Sequence, residues 1–204
     1  MRLGETRPRI LAALIVSLIL GGVLAACGGG QSSTPNPAAE SLALPSVILP
    51  SEDPEVEALL PDQLCGVQTR KLSMAGETFV PTADAAFKAT LARLGKTPAD
   101  VGYGTAVPDP ASGATCGVIA GIFRFAGFSS TNPLPSDAFL DEARKGGTDF
   151  QPMTVGGRSV FAGHPAGSGL TTYLAFGPDA VYFVNAPDDG TAASVLADWP
   201  ANRG

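Results

Sequence analysis

Residues 150–186 read FQPMTVGGRSVFAGHPAGSGLTTYLAFGPDAVYFVNA, and their pattern decides the fold class. Two apolar runs, FQPMTV and RSVFAGH, flank Gly156-Gly157, a pair free to adopt the positive φ that a two-residue hairpin turn requires. Two more, LTTYLAF and AVYFVNA, flank Gly177-Pro178-Asp179. Four strands in succession are incompatible with a doubly wound sheet, where each strand is followed by a helix. The expectation is one α+β domain, a largely antiparallel sheet with helices packed on one face.

Reading outward from these hairpins, TAASVLADW places Ala192, Val195, Leu196 and Trp199 on one helical face, behind a cap from Asp189 or Thr191. Upstream, CGVIAGIFRFAGF from Cys116 alternates, with Ile119, Phe123 and Phe125 on one side and Val118, Ile122 and Arg124 on the other. It reads as a central strand. Ser136 caps DAFLDEARK, in which Asp141 and Lys145 are spaced to pair, and Gly146-Gly147 ends it. Thr82 caps ADAAFKATLARL, with Ala83, Phe87, Leu91 and Leu94 on one face and Gly95 as the stop. Asp53 and Pro54 open a short helix, PEVEALL, and a strand covers residues 67–74. The stretch TPADVGYG, rich in glycine, reads as no more than a turn or two.

At 204 residues with 45% hydrophobic content the chain has material for one ordinary core. After Ala26, ten basic residues face eighteen acidic ones, a net charge of −8. No cluster of Lys and Arg remains to neutralise phosphates, so nucleic acid is not an expected partner.

The N-terminus has a different character. Arg2, Arg7 and Arg9 precede an uncharged run from Ile10 to Ala26, the layout of a secretory signal. The run lies at the lower limit of about 17 residues for crossing a bilayer, and it contains Gly21 and Gly22. It ends in Leu24-Ala25-Ala26-Cys27, which resembles the lipobox of bacterial lipoproteins, where Leu and two small residues precede a Cys. The resemblance implies cleavage before Cys27 and a diacylglyceryl group, with acyl chains such as palmitate, on its sulfur. It covers the first 27 residues and implies nothing about the domain behind them. Two or three acyl chains, at about 0.8 kcal/mol per buried methylene, make a lasting anchor. The expected location is therefore the outward face of the cell membrane, or the outer membrane where two are present.

Three segments follow: a signal at residues 1–26, a tether at 27–53 and a domain at 54–204. The tether, rich in Gly, Ser and Pro, has the composition of a flexible spacer. Its later part, LALPSVILP, is more apolar and suits either the domain surface or an edge strand. With Cys27 assigned to lipid, Cys65 and Cys116 form an even pair in an exported chain, and a disulfide is expected. Neither has the CxxC spacing or neighbouring His of a metal or catalytic thiolate.

Chemistry is sparse elsewhere. His164 is the only histidine and shares AGHPAGSGL with Ser168, but the positions two away from Ser168 are Ala166 and Leu170 rather than the glycines of a nucleophile elbow. Asp188 and Asp189 lack the ligand spacing of a calcium loop and read as helix caps. Arg124 between two phenylalanines reads as a residue on the wetter sheet face, and Trp199 as a core anchor. No cofactor or metal is expected. The function expected is a membrane-anchored, non-enzymatic module that binds an envelope protein or a small ligand. The alternatives are an envelope hydrolase using Ser168 and His164, or a carrier of a hydrophobic ligand.

Overall fold

The computed structural model describes residues 51–113 and 116–199. The domain is an α+β unit built on one antiparallel sheet of eight strands in the order β1-β2-β3-β4-β8-β7-β6-β5. The strands are β1 (Gln63–Leu64), β2 (Val67–Ala75), β3 (Val101–Pro108), β4 (Ile119–Phe125), β5 (Gln151–Val155), β6 (Arg158–Gly163), β7 (Thr171–Phe176) and β8 (Ala180–Ala186). The helices are α1 (Pro54–Glu57), α2 (Gly76–Phe79), α3 (Ala85–Arg93), α4 (Ser136–Lys145) and α5 (Asp189–Asp198). No helix among the described residues is long and apolar enough to cross a membrane.

The hairpins of the last quarter form as the glycines require. Gly156 and Gly157 take φ of 57° and 79°, and Val155 pairs with Arg158 across them. β4 lies at the centre, antiparallel to β3 and to β8, so it joins the two halves of the sheet. Ile122 stands beside Tyr182 and Phe123 beside Val181 in that register.

β3 is the strand that glycine content conceals. Gly102 and Gly104 sit at its start because α1 crosses there at close range. A Cβ on Gly104 would lie 2.6 Å from Val56 Cγ1, and one on Gly102 would lie 2.6 Å from Asp53 Oδ2. Strand propensity is low at both positions, but packing against Val56, which is fully buried, selects the missing side chain.

Helices cover both faces of the sheet, not one. Val56 and Leu60, with Val195, Leu196 and Trp199 from the other end of the chain, pack on the face that carries Ala106, Ile122, Tyr173, Tyr182 and Val184. Phe79, Phe87 and Leu91 pack on the face that carries Val101, Phe125 and Val181. Phe79 stacks on Tyr103 at 4.5 Å between ring centroids, Phe87 lies 4.9 Å from Phe123, and Phe139 of α4 meets Phe125 edge-on at 5.3 Å. Apolar residues occur at both parities of β4 and β8, which is why each face needs a cover.

Several local details depart from expectation. The cap of α3 is Asp84, whose carboxylate accepts from Phe87 N at 2.8 Å, while the Thr82 hydroxyl donates to Phe79 O. The cap of α5 is Asp188, which accepts from Thr191 N at 2.8 Å. α4 begins at Ser136 without a side-chain cap. Lys145 pairs with Glu142 instead of Asp141, because Arg93 of α3 draws Asp141 at 2.8 Å and Asp137 at 3.0 Å, clamping the two helices. The residues 51–53 assigned to the tether are fixed to β2: Ser51 forms a parallel bridge with Ser73, and Asp53 N donates to Ser73 Oγ at 2.9 Å.

The expected disulfide joins Cys65 and Cys116, with Cα atoms 6.4 Å apart and 51 residues between them in sequence. Cys65 and Gly66 form the turn between β1 and β2, and Cys65 has a φ of 54°, the one positive value outside glycine among the described residues. The bond ties this edge hairpin to the approach to the central strand. A double Cys65→Ser, Cys116→Ser variant is expected to lose about 4 kcal/mol of stability from loop-closure entropy. Urea denaturation of the oxidised parent and the variant measures it.

Candidate functional site

Arg124 emerges from β4 on the face that α1 covers. Its Nη1 donates to Glu55 Oε2 at 2.8 Å and its Nε to Asp179 Oδ2 at 3.3 Å. Glu55 belongs to α1 and Asp179 to the turn between β7 and β8, so one guanidinium links three separate elements. These contacts, that to Glu55 foremost, hold Arg124 even more firmly protonated than an isolated guanidinium.

Around this pair of bridges lies a pocket of about 330 Å³, lined by Asp53, Glu55, Asp100, Arg124, Phe128 and Asp179 among others. Asp100 ends a short 3-10 turn, and its carboxylate accepts from both Thr97 N at 2.8 Å and Thr97 Oγ1 at 2.7 Å. Those bonds hold its pKa below the ordinary carboxylate range. At the rim, Lys96 Nζ stands 4.7 Å from the centre of the Phe128 ring. Four carboxylates line the pocket against one guanidinium, so its potential favours an ammonium or guanidinium guest over an anion. Arg124 itself is already paired, and the anionic ligand that its flanking phenylalanines suggest has no free cation there to meet.

His164 and Ser168 are not brought together as nucleophile and base. Both lie in the loop between β6 and β7, where His164 Nδ1 shares a hydrogen bond with Thr171 Oγ1 at 3.1 Å. The Ser168 hydroxyl accepts from Leu170 N at 3.0 Å and donates to Leu170 O at 3.3 Å. It shapes the loop. Trp199 is 2% exposed and meets Tyr182 edge-on at 5.6 Å, as a core anchor does. Among the described residues no group of three or more His, Cys, Asp or Glu could hold a metal ion. Cys27 lies outside the described residues.

Asp189 has a use that capping logic misses. The hydroxyl of Tyr173, a fully buried residue of β7, donates to Asp189 Oδ1 at 2.5 Å and pins the start of α5 to the sheet. Burial, then the neighbouring Asp189 carboxylate, pushes the Tyr173 phenol up to about 12. The convergence of Asp53, Glu55, Asp100 and Asp179 on one pocket left no trace in sequence spacing, since they come from four elements. The one available signal was a charged residue, Arg124, inside an apolar strand.

The fold and pocket define a disulfide-linked α+β domain with an acidic recess and no assembled nucleophile–base pair among the described residues. No protein-family model, curated protein or solved structure matches the chain.

The tyrosine linkage has a pH signature. A phenol whose pKa is higher folded than unfolded favours the folded state while both forms are neutral, and that contribution is lost once the unfolded form alone can ionise. Stability is expected to hold below pH 10 and to fall as the pH rises from 10 through about 12. Tyr173→Phe removes part of this fall, which denaturant midpoints measured across that window detect.

Proposed function

We propose that the protein is an exported lipoprotein, anchored to the outward face of a membrane through lipid on Cys27, whose domain is a non-catalytic binding module. The observation that carries the reading is the pairing of Cys65 with Cys116. Disulfides persist in oxidising compartments outside the cytoplasm. The pairing also leaves Cys27, at the end of the apolar run and in the LAAC context, as the one cysteine free for lipid. The absence of a bond between Ser168 and His164 favours binding over hydrolysis.

The acidic pocket around Arg124 serves as the contact site in this reading. It accepts a basic side chain of an envelope protein or the amine of a small ligand, held by Asp53, Asp100 and Asp179, with the Phe128 ring against the aliphatic part of the guest. The charge of the domain, strongly negative after Ala26, supports the same choice of partner.

Two measurements check the proposal. In cells fed an alkyne analogue of palmitate, the wild-type chain is expected to take up label and sediment with membranes. Cys27→Ser is expected to lose both properties, and equal labelling of the two would remove the anchor from the reading. For the pocket, tetralysine added to the isotopically labelled protein is expected to shift the amides of Gly102, Ala126 and Gly127. A Glu55→Gln, Asp100→Asn variant is expected to weaken that response about tenfold, the equivalent of roughly 1.4 kcal/mol.

A further inference from the structure

The face covered by α2, α3 and α4 is only half roofed. The ring contacts of these helices reach Tyr103, Phe123, Phe125 and Phe176. Beyond that line the register places Leu72, Thr105, Phe183, Leu174 and Phe161 side by side across five strands, with Ile119, Asn185 and Thr172 in the next row. No helix among the described residues makes a ring contact there. Leu72, Ile119, Phe161 and Leu174 are only half-buried, although the row is apolar and continuous. At its border the Tyr103 hydroxyl, in a residue 1% exposed, has no hydrogen-bond partner among the described residues.

The chain enters the described domain at the edge of this row. Ser51 bridges Ser73 in parallel, and Glu52 N donates to Ser73 O at 3.2 Å. A parallel course points the residues before Ser51 toward the end of β2 that carries Leu72 and Arg70. The next ladder bond would need an N–H from residue 50, which is Pro50, so the ladder stops there and the chain is released from the edge. Residues 42–50, LALPSVILP, carry five aliphatic side chains in a tether that is otherwise small and polar. Nine extended residues reach about 30 Å. The four steps from β2 to β7 span about 19 Å.

We propose that residues 42–50 lie across this open half of the sheet as an apolar strap, with Leu44, Val47 and Ile48 over Leu72, Phe183, Leu174 and Phe161. A main-chain carbonyl of the strap then accepts the Tyr103 hydroxyl, since Pro45 and Pro50 keep the segment extended and its carbonyls unengaged. The tether is thereby divided: residues after Cys27 form the spacer, and residues 42–50 belong to the domain. This inference does not depend on the acidic pocket or on lipidation.

A photoreactive benzoylphenylalanine in place of Ile48, in the full chain, tests it. Irradiation is expected to give intramolecular cross-links to the row that holds Leu72, Phe161, Leu174 and Phe183. Cross-links confined to the opposite face at Leu60 or Trp199, to lipid or to a second copy of the chain overturn the proposal, as does a failure to cross-link. In parallel, a Leu44→Ser, Val47→Ser, Ile48→Ser variant is expected to bind anilinonaphthalene sulfonate severalfold more strongly and to unfold at lower urea. A variant indistinguishable from the parent in both measurements also overturns it.

Discussion

The antiparallel pairing of β4 with β8 is the constraint on which the rest of the structure depends. It runs from Ile119 opposite Asn185 to Arg124 opposite Ala180 and joins residues about sixty positions apart in the chain. Without it the strands would form two small sheets, β1 to β4 and β5 to β8, each with an additional long edge of unpaired backbone groups. With it, every residue of β8 is buried. The helices that cap the two faces then have a wide enough floor to bury against.

Smaller ties hold the parts in place around that seam. Arg124 reaches from β4 to Asp179, in the turn that leads into β8, and to Glu55 on α1, so the charge network stands where the two halves meet. Exposed pairs of this kind contribute only about 0 to 1 kcal/mol each. Their larger effect is geometric, since they shape the recess that the domain presents to a partner. The Tyr173 bond to Asp189 plays the equivalent part at the start of α5, and the Cys65–Cys116 bond does so at the far edge.

Much of this arrangement was legible in residue order. The four closing strands, the alternation of β4, the amphipathic faces of α3 and α5 and the cysteine pair all follow from local pattern. β3 was not legible, because Gly102 and Gly104 suppress the strand signal and the reason for them, Val56 on α1, lies some fifty residues away. The caps of α3 and α5 fell one to three residues from where they were expected, among runs of Asp and Thr in which several residues can accept the same N–H. Asp141 was drawn away from Lys145 by Arg93, a partner from another helix. The acidic recess was invisible for the same reason: its carboxylates are dispersed through the chain and meet only after folding.

By itself the sequence determined the class of the fold, the even pairing of two cysteines and the chemical character of the N-terminal segment. Each is encoded in neighbouring residues, through side-chain period, turn geometry or composition. The tertiary structure alone decided that both sheet faces carry helices, that β3 completes the sheet, that Ser168 and His164 turn to separate partners, and that four carboxylates surround Arg124. Those outcomes depend on which distant side chains compete for the same space and the same donors, and that competition exists only once β4 and β8 have closed the sheet.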